Sequence, residues 1–194
     1  MENGLFVIRE FSMDAGKVIQ VAELYKQQFE ALASFTPSIR RYIRRDFKKA
    51  GPPPTTKDEI SALIALGEAY PSAPGSSVPA RSFDHAGRAP TEKEVWAHCE
   101  AMVPAIKQML AEDRLEKCCR WIGFISGAEV ATFAFHPLYG LGKEMAVCAS
   151  LDAIKAAKNG RLLESFCHLG FAQGALWVAG AYSIDELKEH NRPS

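Results

Sequence analysis

We predict an all-α fold from this sequence, a helical bundle of about seven to eight helices. Two observations support this prediction: apolar residues recur at helical spacing through most of the chain, and the clear start signals are capping patterns that begin helices. A third observation is an internal sequence repeat, in which similar residues recur 47 positions apart. This repeat predicts two similar helical hairpins in the C-terminal half.

The composition narrows the class of protein. Of the 194 residues, 47% are apolar and 24% charged, and 23 basic side chains balance 23 acidic ones. These values are typical of a soluble globular chain and exclude a disordered polyelectrolyte, a collagen-like repeat and a disulfide-stabilised mini-protein. The five cysteines form no CxxC motif, and the N-terminus lacks the pattern of a secretion signal. We therefore expect free thiols in a cytoplasmic protein.

The N-terminal region, residues 1–69, is predicted to hold three helices. Asp14 is a candidate N-cap for a helix that runs to about Ser34. A second helix starts after Thr36 and runs to about Lys49, and the Gly-Pro-rich sequence from residue 51 ends it. A capping pattern at Thr56 begins the third helix.

Residues 70–90 are rich in Pro, Gly, Ser and Ala. Such a segment buries too little apolar area to offset its ordering entropy, so we predict a long loop or linker. A C-terminal helical domain, residues 91–194, follows it. We expect helical structure from 95 to about 135 with a break near Glu112, further helices at 148–158 and 161–181, and a short last helix capped by Ser183.

The internal sequence repeat includes four glycines at matched positions. Gly123 and Gly127 lie four residues apart in one predicted helix, and Gly170 and Gly174 hold the equivalent positions in another. Because Gly in a helix interior costs about 1 kcal/mol relative to Ala, each pair predicts a face that another helix backbone approaches closely. These helix-packing faces would form a scaffold, meet each other as a pseudo-symmetric pair, or form the seam of a homodimer. Chance similarity between two amphipathic helices is the alternative.

Residues 165–182 contain no Asp, Glu, Lys or Arg, and 18 such residues approach the lower length limit of a membrane span. The same segment holds Ser165, His168 and Gln173, however, and the equivalent helix holds Glu129. A helix buried in the core is the favoured interpretation, and we expect no membrane contact.

The strongest charge feature lies between Ile39 and Lys49. Six cations fall on one half of the predicted helix, and apolar residues fall on the other half together with Asp46. The helix would dock its apolar side on the protein and present its cations to an acidic protein or to phosphates. An ordinary solvated face is the alternative. The basic stripe is defined here as Arg40, Arg41, Arg44, Arg45, Lys48 and Lys49.

Metal binding and catalysis find little support in the residue pattern. The Cys-Cys and Cys-His pairs are adjacent in sequence, so their side chains diverge on a helix, whereas zinc ligands usually lie two to five residues apart. We expect no cofactor, no metal site and no catalytic residue. An enzyme would use Cys118 or Cys167 as a nucleophile, with His98 or His168 as a base.

The C-terminal segment carries a resemblance. Residues 169–177 read LGFAQGALW, and residues 182–193 read YSIDELKEHNRP. This combination resembles the C-terminal end of uncharacterised small proteins from tailed bacteriophages and prophages. Residues 120–127 are similar to the start of the same motif, with Ser126 where Gln is usual. The resemblance implies a phage-encoded accessory protein in the bacterial cytoplasm, with no established chemistry.

These features together predict a non-enzymatic helical binding protein that modulates a host protein or complex through the basic stripe. The leading partner is an acidic host protein. A nucleic-acid-associated protein that uses the same stripe is the alternative, although the neutral chain shows no nucleic-acid-binding motif. The Cys/His-dependent enzyme described above is a third alternative.

Overall fold

The fold is an all-α helical bundle, which confirms the predicted class. A computed structural model of the chain describes residues 13–30, 51–69, 82–83, 87–134 and 141–192. Within these ranges it forms seven helices: α1 (Ala15–Glu30), α2 (Lys57–Ala69), α3 (Glu92–Ala111), α4 (Leu115–Ala134), α5 (Leu141–Lys158), α6 (Leu162–Val178) and α7 (Ile184–His190).

A small β-ladder lies within the segment predicted to be a loop or linker. Ser82–Phe83 (β1) pairs antiparallel with Gly87–Arg88 (β2), and Ser82 stands opposite Arg88. Each strand is only two residues long. A ladder of this size leaves the helical class of the protein unchanged.

Capping side chains set several helix starts. At α3, Thr91 Oγ1 accepts the Glu94 N–H at 3.3 Å, and Glu94 Oε2 accepts the Thr91 N–H at 2.6 Å. At α7, Ser183 and Glu186 form the same box at 3.3 and 2.7 Å. Asp14 caps α1 and accepts a backbone N–H at 2.7 Å. These four-residue patterns can be recognised in the sequence because their contacts are local.

The two helical hairpins, α3–α4 and α5–α6, turn in the same way. Asp113 has a φ of 59°, and Gly160, which lies 47 positions later, has a φ of 74°. In each turn the N–H of the following residue, Arg114 or Arg161, donates at 2.9 Å to a carbonyl five residues earlier. The offset found in the sequence is therefore repeated in the backbone conformation.

Two helix boundaries differ from the predicted ones. α5 begins at Leu141 rather than near residue 148, because residues 144–150 are all buried and packing extends the helix without a capping signal. α6 ends at Val178 rather than near residue 181. Gly180 takes a φ of 69° there, and the Ala181 N–H folds back onto the Leu176 carbonyl at 2.9 Å.

The bundle is built around the contact between α4 and α6, which is the most extensive in the described part of the chain. α5 packs on α6, α1 packs on α5 and α6, and α3 packs on α4, while α2 contacts α3 and α4. One hydrophobic core runs from Met13, before α1, to Leu187 in α7. Residues on both sides of the predicted loop 70–90 therefore share a core.

Candidate functional site

The residues predicted to contact a partner lie outside the described residues. This applies to all six cations of the basic stripe. The chain is described on both sides of the stripe, up to Glu30 and again from Gly51. Both flanks are attached to the bundle, because Val18 and Tyr25 of α1 and Ile60 of α2 are fully buried.

The glycines of α4 lie where this helix crosses α6. A Cβ built on Gly123 would overlap the Cys167 carbonyl oxygen and lie 2.9 Å from its carbonyl carbon. A Cβ built on Gly127 would overlap the Phe171 carbonyl oxygen and lie 2.8 Å from its carbonyl carbon. Real Cβ atoms do not approach backbone this closely, so only glycine allows the two helices to touch here.

The glycines of α6 make the reciprocal contacts. A Cβ on Gly170 would overlap the Arg120 carbonyl oxygen, and a Cβ on Gly174 would overlap that of Phe124. Arg120 and Phe124 are the residues that the 47-residue offset relates to Cys167 and Phe171. The contact is therefore pseudo-twofold symmetric within one chain. We call it the glycine seam.

A buried polar network joins α1, α6 and α7. The Tyr25 hydroxyl accepts a hydrogen bond from Gln173 Nε2 at 3.0 Å and lies 3.0 Å from His190 Nδ1. Gln173 Nε2 also donates to Asn191 Oδ1 at 2.8 Å. Burial raises the pKa of Tyr25 and lowers the pKa of His190, so the uncharged forms are favoured. The Tyr25 hydroxyl and the neutral His190 imidazole thus share one hydrogen bond, and the imidazole tautomer sets its direction.

Tyr182 packs against this network but does not join it through its hydroxyl. Its ring lies 5.7 Å from the ring of Tyr25 and 5.0 Å from that of His190, measured between centroids. The Tyr182 hydroxyl oxygen is buried and has no hydrogen-bond partner in the described part of the chain. Burial raises the pKa of Tyr182 to about 12.

A cleft of about 340 Å³ opens beside the network, between the start of α3 and the turn from α6 to α7. The His98 ring lies 4.9 Å from the Trp177 ring at this cleft, and Trp177 stacks on Phe124 at 5.6 Å. Burial lowers the pKa of His98 and so favours the neutral imidazole. The lining of the cleft includes Glu94, His98, Trp177, Tyr182, Ser183 and Ile184.

Sequence reasoning missed both the polar network and the cleft. One signal was available, because Gln173 is the polar residue in the apolar stretch 169–178 of α6, and a buried amide requires hydrogen-bond partners. That signal does not identify the partners. Tyr25 lies 148 positions away in the sequence, and only the packing of α1 on α6 brings the two side chains together.

All five cysteines are free and buried. The Cys118 thiol donates to the Ile106 carbonyl at a sulfur–oxygen distance of 3.6 Å. The thiols of Cys119 and Cys167 both donate to the Pro54 carbonyl, at 3.4 and 3.3 Å. Cys118 and Cys167, the two thiols named in the enzyme alternative, thus both donate hydrogen bonds to backbone carbonyls.

The two histidines of the enzyme alternative lie in different surroundings. His98 lines the cleft, and His168 Nε2 lies 3.7 Å from Glu164 Oε1.

Among the described residues, no three His, Cys, Asp or Glu side chains are grouped to hold a metal ion. No helix within the described ranges has the length and apolar character required to cross a membrane.

No family model matches this chain, and no curated protein or solved structure matches it either.

Proposed function

We propose that this chain is a non-enzymatic helical binding protein that contacts an acidic protein partner through the basic stripe. From the resemblance of its C-terminal segment we further infer a phage-encoded protein that acts in the bacterial cytoplasm and modulates a host protein or complex. One observation carries the proposal: six cations share one face of a predicted helix whose flanking segments are packed on the folded body.

The N-terminal flank of the stripe is held by α1. This helix packs on α5 and α6, and Val18 and Tyr25 are fully buried there. The hydrogen bond from Gln173 to Tyr25 adds a polar contact to this packing. A segment whose ends are held in place loses less conformational entropy when a partner binds it.

The C-terminal flank is held by residues 51–60. The Pro54 carbonyl accepts hydrogen bonds from the thiols of Cys119 and Cys167, and Ile60 is fully buried. The two flanks together connect the stripe to helices α4 and α6. This connection supports a protein that presents a charged segment from a stable scaffold.

The charge distribution favours a negatively charged partner. Residues 1–50 carry nine basic and six acidic side chains, whereas the whole chain has a net charge of zero. Several cations in or next to the described helices lie beside carboxylates close to them in sequence, for example Lys188 beside Asp185 at 2.9 Å. A face of six cations attracts an acidic surface at long range and accelerates association with it.

A charge-reversal experiment tests the proposal. In one variant Arg40, Arg41, Arg44 and Arg45 are all changed to Glu. The matched control reverses four exposed cations of the described helices: Lys93, Lys107, Lys155 and Lys158. Circular dichroism first establishes that both variants are folded. We expect the stripe variant to lose its protein partners in a bacterial lysate pull-down and to lose binding to poly-L-glutamate, while the control keeps both.

The same proteins distinguish the nucleic-acid alternative. Binding to duplex DNA and to single-stranded RNA is measured by fluorescence anisotropy over a range of salt concentrations. Affinity for nucleic acid that falls steeply with salt, and that exceeds affinity for poly-L-glutamate, would favour the alternative. A partner profile that is unchanged by reversal of the stripe would contradict both versions of the proposal.

A further inference from the structure

Cys119 and Cys167 lie on the two helices that meet at the glycine seam. Cys119 is one helical turn before Gly123 on the same face of α4, and a Cβ on Gly123 would lie 3.1 Å from the Cys167 Cα. The absence of a side chain at Gly123 thus brings the α4 backbone against Cys167. The Cys119 and Cys167 sulfurs are neighbours there, because both lie within hydrogen-bonding distance of the Pro54 carbonyl oxygen.

The two thiols share one hydrogen-bond acceptor, the carbonyl of Pro54. The sulfur–oxygen distance is 3.4 Å for Cys119 and 3.3 Å for Cys167. The run Pro52–Pro54 has no backbone N–H, so its backbone can form hydrogen bonds with the bundle only through its carbonyls. A thiol is a weak donor, and the preceding residues Gly51 and Pro52 are exposed. The Pro54 carbonyl that accepts from the thiol pair therefore lies next to an exposed segment of the chain.

We propose that Cys119 and Cys167 form a redox modification site, which closes to an intramolecular disulfide between α4 and α6 when the protein meets a peroxide. This site goes beyond the proposed partner binding and does not depend on it. A disulfide requires a sulfur–sulfur bond of about 2.05 Å and closely spaced backbones. The seam supplies the close spacing, because glycine allows the two helices to approach as far as their backbones permit.

The chemistry assigns a different part to each sulfur. Contact between the two thiols lowers the pKa of Cys119 and raises the pKa of Cys167, so Cys119 ionises first. Burial instead raises the pKa of Cys99 to about 12 and that of Cys118 to about 11. Cys119 is therefore the better nucleophile of these thiols.

The oxidation is balanced in two steps. The Cys119 thiolate attacks one peroxide oxygen, so a sulfur–oxygen bond forms, the oxygen–oxygen bond breaks, and hydroxide leaves and is protonated to water. The Cys167 sulfur then attacks the sulfenic sulfur of Cys119. The disulfide bond forms, the sulfur–oxygen bond breaks, and a second water leaves with the proton of Cys167. The two thiols lose two electrons, and hydrogen peroxide is reduced to two waters.

Oxidation also has a structural consequence. A disulfide has no S–H, so the Pro54 carbonyl loses both of the hydrogen bonds described above. Pro54 lies shortly after the basic stripe in the sequence. We expect faster hydrogen exchange at the amides of Thr55 and Thr56 in the oxidised protein than in the reduced one.

Peptide mapping of the full-length protein tests this site. The native protein is treated with hydrogen peroxide, blocked with N-ethylmaleimide and digested with trypsin without reduction. Trypsin releases Cys118-Cys119-Arg120 as a tripeptide and 162–188 as the peptide that holds Cys167. We expect these two peptides to be linked, with the loss of two of the five thiols per chain. Reduction with dithiothreitol should reverse both changes.

Three variants assign the linkage and keep the test independent of folding defects. Cys118→Ser should form the cross-link normally, because the Cys118 thiol bonds to Ile106 rather than to Pro54. Cys119→Ser and Cys167→Ser should each abolish it while circular dichroism shows a folded chain. A cross-link through Cys118, a link between two chains, or a link that forms only after unfolding in urea would overturn the proposal.

Discussion

Tyr25 and Tyr182 pack their rings together, yet their hydroxyls have opposite surroundings. The Tyr25 hydroxyl is hydrogen-bonded to Gln173 and His190, whereas the buried Tyr182 hydroxyl has no partner among the described residues. A buried polar group that is satisfied contributes to stability, and one that is unsatisfied costs about 1–3 kcal/mol. The same deletion of an oxygen atom should therefore have different effects at the two positions.

We predict that Tyr25→Phe lowers the free energy of unfolding by about 1–3 kcal/mol, because it leaves Gln173 and His190 without their shared partner. Tyr182→Phe is the matched control and should leave stability unchanged or raise it slightly. Urea denaturation followed by circular dichroism measures both. Equal losses in the two variants would show that the Tyr25 hydrogen bonds add nothing to stability.

Three partly buried histidines determine how the predicted stability depends on pH. Burial lowers the pKa values of His98, His168 and His190 in the folded protein below the ordinary value of 6.5. The unfolded chain then binds more protons than the folded one in mildly acidic solution. The stability that the neutral imidazoles contribute is fully present above pH 6.5 and is lost as the pH falls through the lowered folded values.

We therefore predict that the urea midpoint falls as the pH is lowered from about 7.5 to about 5. His190→Gln should reduce the steepness of this fall, because it removes one of the titrating groups. NMR titration of the imidazole protons would check the individual pKa values. A midpoint that rises over the same pH range would contradict the assignment of neutral histidines.

At the scale of the element, the glycine seam is the contact most sensitive to substitution. Its four glycines place the backbones of α4 and α6 against each other, so an added methyl group meets a carbonyl rather than a movable side chain. Helix propensity acts in the opposite direction, because Ala stabilises a helix interior by about 1 kcal/mol over Gly. The overlap is with backbone, so it should outweigh this gain.

We predict that Gly123→Ala, and equally Gly170→Ala, lowers the free energy of unfolding by at least about 2 kcal/mol. Gly16→Ala in α1 is a control, since its Cβ would meet only the Asp14 side chain at 3.3 Å and should change stability by no more than about 0.5 kcal/mol. Chemical denaturation measures all three variants. Seam variants as stable as the Gly16 control would contradict the close approach of the two helices.

Local sequence patterns predict some helix boundaries of this protein and not others. The starts of α3 and α7 could be predicted because their capping boxes involve residues only three positions apart. The turn between α5 and α6 could be predicted from Asn159 and Gly160, and Gly160 adopts a positive φ there. The start of α5 could not be predicted, because no capping residue marks it and burial against α1 and α6 extends the helix.

At the scale of the whole molecule, one core joins the two regions that the composition separates. Val18 and Tyr25 from the N-terminal region and Leu187 from α7 belong to the same hydrophobic cluster. α1 covers α5 and part of α6. The C-terminal region, predicted as a domain of residues 91–194, therefore buries part of its apolar surface against helices that lie outside it.

We predict that a fragment of residues 91–194 folds poorly by itself, because it exposes the surface that α1 and α2 cover in the full chain. It should bind the dye ANS and show a broad, weak urea transition, whereas the full chain shows a cooperative one. Circular dichroism and ANS fluorescence measure these properties. A fragment with the same midpoint as the full chain would instead favour an independent C-terminal domain.

The local and periodic features of this protein follow from its sequence. They are the helical class, the capped starts of α3 and α7, and the internal sequence repeat with its four glycines. These features depend on residues within a few turns of one another, or on a repeated pattern that can be counted. Contacts between distant residues required the packed structure. The pairing of Tyr25 with Gln173, the cover of Pro54 over Cys119 and Cys167, and the cleft beside Trp177 all join residues from separate helices and turns. No local pattern specifies such contacts, because they are decided by how whole helices pack around one core.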